Sequence, residues 1–316
     1  MKSGKAPGND EISADLLKME INDVVNLNQL LEEYRRGSFT LDGVVTGFLL
    51  CLIITYSNIS FMFVMLAFTL SGSYATKYKS DIKRLKISEG GKDQTTKTKK
   101  VARNYIQVLC NGSIAFLYSL FYCYETNLSG KTLPIDFHNY YWPSIYSIGL
   151  LFSIACCCGD TLASELGTVL CRTNPRLITN LFRRVPAGTN GGISLEGTLA
   201  SIFGGFIVGL SFYLGNLVFC DMRQYADHIE PQWPIIPLCA VFGLLGSMID
   251  SLLGATLQYS GYDNERKCSV LRPGGANVQK ISGRNILSNN QVNIIASFLT
   301  SIVAVFTVPL LYKHFF

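Results

Sequence analysis

Two acidic residues lie inside long apolar stretches, where a charged group is costly. Asp160 belongs to the stretch GDTLASELG at residues 159–167, and Asp250 begins DSLLGAT at residues 250–256. A carboxylate at the centre of a membrane helix costs about 2.5–3.5 kcal/mol on insertion scales, so it usually serves a function. Mg²⁺ prefers oxygen ligands and often takes only one or two carboxylates beside substrate phosphates. The pair therefore indicates a magnesium and phosphate site.

A glycine-rich turn provides the second part of such a site. Residues 188–192 read GTNGG and precede the fifth apolar stretch, with Arg183 and Arg184 just upstream. Unpaired amides at a helix N-terminus attract anions, and glycines let the backbone approach them closely. Arginines bind phosphate oxygens in a bidentate manner. We expect a phosphate here; an ordinary N-cap with lipid-facing arginines is the alternative.

Other polar residues extend the candidate site. Ser164 follows Asp160 by four residues and shares its helical face, and Glu165 would accept a proton if the substrate were an alcohol. Asn111 and Asn293 are interpreted either as site residues or as helix-to-helix bonds and caps. The candidate catalytic residues are Asp160, Asp250 and Glu165; the metal ligands are Asp160 and Asp250; the nucleotide or phosphate ligands are Arg183, Arg184, Gly188, Thr189, Asn190, Gly191, Gly192, Ser164, Asn111 and Asn293. For Asp160, a water-filled vestibule or an arginine partner is the alternative.

Composition places these residues in a membrane protein. The 316 residues are 48% hydrophobic and 16% charged, whereas soluble domains have about 25% charged residues. Apolar stretches near the 20 residues of a spanning helix predict an all-α polytopic bundle of about seven transmembrane helices, at 41–58, 59–75, 105–122, 144–164, 195–219, 234–257 and 292–312. The first two nearly abut, which predicts a hairpin turning at Ser57 and Asn58.

The distribution of charge predicts the orientation. Lys and Arg gather in the connections 76–104, 165–194 and 261–290, which lie on one side of a seven-helix layout. Because basic loops stay in the cytosol, the N-terminus and the candidate site are expected there, in an endomembrane such as the endoplasmic reticulum. The three histidines, His138, His228 and His314, then lie on the outer side, which excludes a histidine base or zinc site beside Asp160. Basic residues confined to loops also imply no nucleic-acid partner.

Short-range patterns indicate a repeat and close packing. Asp160 and Asp250 share the pattern Asp-(Thr/Ser)-Leu in helices of the same direction, which suggests a weak internal repeat, helices four and five against six and seven. Small residues recur every fourth position in the fifth and sixth helices, which predicts close backbone approach. They are Gly197, Ser201, Gly205, Gly209, Gly243, Ser247 and Ser251.

Residues 1–37 differ from the remainder and are predicted to be a non-membrane leader before a transmembrane domain at 38–316. KSGKAPGND at residues 2–10 and ISADLLK at 12–18 resemble a short stretch of non-LTR retroelement reverse transcriptases, without that family's catalytic aspartates. The leader is therefore interpreted as a fused remnant or a gene-model artefact. An amphipathic helix over 14–34 is the alternative.

Several motifs in one order resemble the transmembrane protein 19 family. They are VLCNG at 108–112, GDTLASELG at 159–167, VPAGTNGG at 185–192, QWPII at 232–236 and DSLLGAT at 250–256, and the resemblance covers about residues 38–312. That family is related to plant and cyanobacterial phytyl-phosphate kinases, and GDxxAS is similar to phytol and dolichol kinases, which use CTP. The resemblance implies a polytopic membrane protein with an additional apolar segment where the leader stands.

Together these features predict a nucleotide-dependent phosphotransferase acting on a polyisoprenyl phosphate or related lipid at the cytosolic face. Mg²⁺ and CTP are the expected cofactor and phosphoryl donor, and the partners are a membrane lipid or prenyl phosphate and a nucleotide. The alternative is a non-catalytic transporter or lipid-binding membrane protein in which the acids bind a cation or a proton. The sequence does not indicate an oligomeric state.

Overall fold

The computed structural model describes residues 27–88, 102–220, 229–274 and 277–315. Within them the chain is mostly helical. Residues 27–35 form the described part of α1. The later helices are α2 (Leu41–Ser57), α3 (Ser60–Lys77), α4 (Ser80–Lys86), α5 (Tyr105–Glu125), α6 (Tyr141–Leu170), α7 (Leu195–Phe219), α8 (Ile235–Leu257) and α9 (Asn289–Phe315).

Every predicted apolar stretch forms a helix, which confirms the helical membrane bundle. Five helices in the described ranges, α5 to α9, are long and apolar enough to cross a membrane. The apolar helix α2 is shorter, at 17 residues, or about 25 Å. The predicted hairpin is present: α2 ends at Ser57 and α3 begins at Ser60, whose amide donates to Asn58 Oδ1 at 2.9 Å.

Helix α6 is the centre of the bundle because α3, α5, α7, α8 and α9 all pack against it. Its residues from 147 to 159 are buried without interruption. At 30 residues it is about 45 Å long, well beyond a hydrocarbon core of about 30 Å. It also continues six residues past the predicted end at 164, so Asp160 lies deeper within the helix than expected.

The small-residue stripes are packing surfaces, as predicted, and they bring three backbones together. A Cβ on Gly159 of α6 would lie 2.5 Å from the Gly243 carbonyl oxygen of α8. A Cβ on Gly204 of α7 would lie 2.9 Å from the Gly159 Cα, and one on Gly205 would overlap the Cys239 carbonyl. The α6, α7 and α8 backbones are therefore in direct contact.

Two small sheets, which the sequence analysis did not predict, lie in the connections. A four-stranded sheet has the order β1 (Ile87–Ser88), β6 (Cys268–Val270), β5 (Ser260–Asp263) and β7 (Val278–Ser282). A three-stranded sheet has the order β3 (Asn180–Arg184), β2 (Arg176–Leu177) and β4 (Gly192–Ile193). Both lie where α6 and α8 end and α7 and α9 begin, which we call the site end of the bundle.

The described part of the leader packs on the membrane helices. Leu30 of α1 is buried, and its methyl groups lie 3.5–3.7 Å from where a Cβ on Gly47 would be. Glu33 is also buried and pairs with Lys77 of α3 at 2.8 Å. Residues 27–37 thus belong structurally with the helices that follow. The retroelement-like residues and most of the alternative helix lie outside the described residues, so both interpretations stay predictions.

Candidate functional site

The two acids come together across α6 and α8. These helices touch at Gly159 and Gly243, so Asp160 directly follows the contact on α6. Asp250 lies two turns further along α8, near enough for the Asp160 carboxylate to act electrostatically on it. Asp160 lies ten residues before the end of α6, about 15 Å, and Asp250 seven residues before the end of α8, about 10 Å. The structure therefore places both at the site end.

Ser247 links the two helices and was not among the predicted site residues. It is buried on α8, one turn before Asp250, and its side chain hydrogen-bonds to Asp160 of α6. Its spacing of four residues from Gly243 predicted only a packing stripe. Its position three residues before Asp250, on the same helical face, was the available signal.

Two predicted amides join Asp250 to α5 and α9. The Asn293 amide group lies 3.2 Å from Asp250 Oδ2, 2.9 Å from the Asn289 carbonyl and 3.0 Å from the Asn111 amide. Its NH₂ donates to the carboxylate and the carbonyl, since both can only accept. Asn111, Asn293 and Asp250 thus form one polar chain across three helices. It holds the Asp250 carboxylate in a defined orientation.

Ser164 and Glu165 lie four and five residues after Asp160 on α6. Glu165 pairs with Lys83 of α4 at 2.6 Å and acts electrostatically on Asp160. Ser164 is exposed, and its hydroxyl donates to the Thr161 carbonyl at 3.2 Å. Because Glu165 is paired with Lys83, it anchors α4 to α6. Ser164 faces open space at the site end.

The glycine turn packs on the helix that carries Asp250. Gly188 and Gly191 have left-handed φ angles of 85° and 74°. A Cβ on Gly191 would lie 2.6 Å from the Ser251 carbonyl oxygen and would overlap the Ala255 side chain. Because Ser251 directly follows Asp250, the turn and the acid lie at the same end of α8. The Gly188 and Gly191 amides donate no hydrogen bond within the described chain.

The side chains of Thr189 and Asn190 are occupied by the fold. Thr189 is buried and donates to the Pro186 carbonyl at 2.7 Å. The Asn190 amide group donates to the Tyr259 carbonyl at 3.1 Å, and its backbone N–H donates to Ser260 Oγ at 3.0 Å. These contacts hold the turn against the four-stranded sheet. Gly192 donates its amide to the Thr189 carbonyl and starts β4.

One expectation about this region requires correction. The turn does not lead directly into α7: β4 and Ser194 intervene, and Ser194 Oγ accepts the Gly197 amide at 3.1 Å. The N-terminus of α7 is therefore capped by its own chain. Arg183 and Arg184 lie on the fully exposed strand β3, and their assignment to a phosphate stays a prediction.

A cavity of about 370 Å³ lies beside the glycine turn. Its wall includes Pro186 and Ala187, the two residues before the turn, and three cationic residues, Lys86, Arg172 and Lys267. None of its lining residues is acidic. Ligand pockets typically measure 300–1,000 Å³, so its size and charge suit an anionic group of nucleotide dimensions.

The donor set around the acids suits a hard cation. It consists of two carboxylates and a serine hydroxyl, which are oxygen ligands, while the Asn293 NH₂ orients the Asp250 carboxylate. In the parts of the chain that the structure describes, no group of three or more His, Cys, Asp and Glu side chains gathers in metal-binding range. A complete protein cage of the kind zinc requires is thus absent from those parts, whereas Mg²⁺ usually keeps waters and substrate phosphates as ligands.

Sequence comparison identifies relatives that match most of the chain. Protein PGR of Arabidopsis thaliana is 40% identical over 280 residues, covering 86% of this chain and 91% of its own length. An uncharacterized membrane protein of Methanocaldococcus jannaschii is 28% identical, covering 84% and 83%. Protein VTE6, chloroplastic, of Arabidopsis thaliana is 26% identical, covering 83% of this chain and 63% of its own length. No solved structure matches.

The model of one protein family spans nearly the whole described chain. The match runs from residue 25 to residue 301 and includes both acids, the glycine turn, and Asn111, Ser247 and Asn293. It includes the described part of α1, which agrees with the packing of that helix on α2 and α3. The chain belongs to the integral membrane protein family DUF92.

Proposed function

We propose that this protein is a nucleotide-dependent phosphotransferase that acts on a polyisoprenyl phosphate or related lipid at the cytosolic face of an endomembrane. The observation that carries the proposal is the meeting of Asp160 and Asp250 at one end of the bundle, with a glycine turn packed on the same helix end. Such an arrangement combines a cation site with an anion site, which phosphoryl transfer requires.

The acids would hold Mg²⁺, with Ser247 orienting Asp160 and Asn293 orienting Asp250. A bound Mg²⁺ supplies positive charge to the donor's phosphate oxygens, where charge must be stabilised. The free amides of Gly188 and Gly191 would bind a phosphate oxygen. The adjoining cavity with Lys86, Arg172 and Lys267 would take the remainder of the nucleotide, for which we propose CTP. Fixed donors of this kind lower the barrier by positioning and electrostatics.

In the proposed reaction a non-bridging oxygen of the lipid phosphate attacks the γ-phosphorus of the nucleotide. The bond from that phosphorus to the β,γ-bridging oxygen breaks, and the nucleoside diphosphate leaves with the electron pair. The products are a lipid diphosphate and a nucleoside diphosphate. A phosphate monoester is largely dianionic at neutral pH, because its second pKa is about 6. A strong base is therefore not needed, consistent with a Glu165 that is occupied by Lys83.

The family resemblance supports the same class of reaction. The motifs GDTLASELG, VPAGTNGG and DSLLGAT resemble those of proteins related to phytyl-phosphate kinases, and these three motifs supply the acids and the turn. Their convergence at one end of the bundle supports a shared role. The lipid class remains a proposal from that resemblance.

The test is transfer of label from γ-labelled CTP to a panel of prenyl monophosphates by the purified protein. We expect Asp160→Asn and Asp250→Asn each to lower kcat by at least roughly 100-fold, because even outer-shell substitutions at metal sites cost 10–100-fold. Glu125→Gln is the matched control, since Glu125 is an exposed carboxylate at the opposite end. Unchanged turnover in either aspartate variant would overturn the proposal.

The transporter alternative predicts a different ligand response. Discontinuous helices mark many transporter sites, but α6 and α8 run unbroken from Tyr141 to Leu170 and from Ile235 to Leu257. An enzyme should be stabilised against heat by Mg²⁺ and CTP together, by RT ln(1 + [L]/Kd). Stabilisation by Na⁺ or by a pH change, without any nucleotide effect, would instead support transport.

A further inference from the structure

Arg103 lies half-buried at the site end, although its sequence position indicated only a cation in a basic loop. Its backbone is fixed on both sides: its N–H donates to the Ser38 carbonyl at 2.9 Å, and its carbonyl accepts from Thr40 at 3.1 Å. A Cβ on Gly43 would overlap that carbonyl, so only glycine fits there. Residues before α2 and within its first turn thus hold Arg103 in place.

The guanidinium reaches across α3 towards α6. It lies 5.5 Å from the centre of the Phe39 ring, and its Nη2 is 3.2 Å from Thr76 Oγ1. A Cβ on Gly72 would be 3.2 Å from that Nη2 and 3.6 Å from Thr161 Cγ2. The absence of a side chain at Gly72 therefore leaves the arginine beside Thr161, the residue that follows Asp160.

The charge of Arg103 is not consumed by a direct ion pair. Among the described residues no carboxylate lies within 4.0 Å of the guanidinium, and Thr76 is its one hydrogen-bond partner. Glu165 and Glu33 act on it at longer range, because they are bonded to Lys83 at 2.6 Å and Lys77 at 2.8 Å. Burial lowers the pKa of Arg103 and the two carboxylates raise it; arginine stays protonated in proteins.

Half-buried beside α6, the guanidinium of Arg103 has N–H groups that the described chain does not use. A guanidinium has five N–H groups in a planar fork that matches two phosphate oxygens. Thr161, whose Cγ2 is its atom nearest to Gly72, also has a hydroxyl that makes no hydrogen bond within the described chain. The ligand chemistry that matches these donors is a phosphate monoester.

We propose that Arg103 and Thr161 form a phosphate-binding site between α3 and α6. This proposal rests on the proposed function. It places the phosphates of the nucleotide at the glycine turn on α8 and the phosphate of the lipid at Arg103. Leu70 and Tyr74 of α3 are exposed, on the helix face turned away from Gly72. An apolar chain attached to the phosphate at Arg103 would therefore pass round α3 to reach the lipid beside them.

The test measures binding without requiring turnover. Thermal stabilisation by farnesyl monophosphate, by farnesol and by Mg²⁺ with CTP is compared in wild type, Arg103→Gln and Gly72→Ala. Gly72→Ala keeps the arginine but displaces its guanidinium, which is the flexible end of a side chain. Loss of a charge-assisted hydrogen bond weakens Kd by roughly 10- to 100-fold. We expect this loss for farnesyl monophosphate only, with farnesol and nucleotide binding unchanged.

Lys77→Gln is the control, since Lys77 also lies at the end of α3 but is bonded to Glu33; it should retain all three responses. Loss of the nucleotide response alone would assign the Arg103 phosphate to the donor and overturn its assignment to the lipid. Retention of every response in a folded Arg103→Gln protein, or in Gly72→Ala where Arg103→Gln does not fold, would overturn the site itself. If the Arg103 site is overturned but phosphate transfer still depends on Asp160, the proposed function stands. If farnesyl monophosphate binds through Arg103 but no phosphate is transferred, the Arg103 site stands and the proposed function is overturned.

Discussion

Replacing Gly191 by alanine tests whether the glycine turn is docked on the helix that carries Asp250. Gly191 has φ = 74°, and a left-handed backbone costs a non-glycine residue about 1–2 kcal/mol. The new Cβ would also lie 2.6 Å from the Ser251 carbonyl and overlap Ala255, and overpacking costs about 1–3 kcal/mol more. We expect a total destabilisation of about 2–5 kcal/mol.

Gly37→Ala is the matched control for the backbone contribution. Gly37 has a similar φ of 69°, but no atom lies within 4 Å of where its Cβ would be. Its substitution should cost only the backbone contribution of about 1–2 kcal/mol. The difference between the two variants therefore isolates the contact between the turn and α8.

Thermal unfolding in detergent, followed by the fraction of protein that stays monodisperse, provides the measurement. For domains of 150–250 residues, 1 kcal/mol shifts Tm by about 2–4 °C. Gly191→Ala should melt lower than Gly37→Ala and should also lose transfer activity, since the displaced turn would no longer present its amides beside Asp250. A Tm for Gly191→Ala equal to or above that of Gly37→Ala would refute the docking of the turn.

Two predictions concern regions away from the acids. Gln232, buried at the opposite end, accepts from the Ile135 amide at 2.9 Å and donates to the Ile135 carbonyl at 2.6 Å. Gln232→Ala should destabilise the fold by about 1–3 kcal/mol for each polar group left unbonded, which lowers Tm but leaves turnover per folded molecule unchanged. Reduced turnover at an unchanged Tm would contradict this. The pKa of Glu33 is lowered, because hydrogen bonds from Lys77 and Ser38 and the Lys77 charge outweigh burial, which raises it. Because the pKa of Glu33 is lower in the folded state, ionised Glu33 stabilises the fold at pH values above the unfolded pKa of about 4.3. This stabilisation is lost as the pH falls through the folded pKa. The Tm difference between wild type and Glu33→Gln should therefore shrink from pH 6 to pH 3, and a difference independent of pH would exclude this linkage.

The bundle was predictable because spanning helices need long apolar stretches, and nothing else in the chain has that composition. The common end for Asp160 and Asp250 followed from the same pattern, since helices separated by one other helix run in the same direction. The hairpin at Asn58 was predictable for the same reason. Length and direction are properties of each stretch alone.

The remainder depends on contacts between distant segments. Strands of two to five residues, such as Arg176–Leu177 and Asn180–Arg184, are too short to show an alternating pattern, so the strand that carries Arg183 and Arg184 was not predicted. Ser247 fitted its packing stripe and Arg103 fitted a basic loop, although both lie at α6. The contacts at Gly72, beside the Arg103 guanidinium, and at Gly243, against Gly159, place these two residues near Asp160. Such contacts between distant segments cannot be read from the sequence.

The glycine contacts among α6, α7 and α8 determine what kind of change the site tolerates. Asp160 directly follows Gly159, whose Cβ position is 2.5 Å from the Gly243 carbonyl, so main chain rests on main chain with no side chain between. Sliding or tilting these helices would meet hard repulsion rather than a side chain that can change rotamer. The spacing of the two helices that carry the acids is consequently rigid. If the proposed cation binds between the acids, that spacing would select it by radius, and substitutions elsewhere in the core would lower thermal stability without changing the selection.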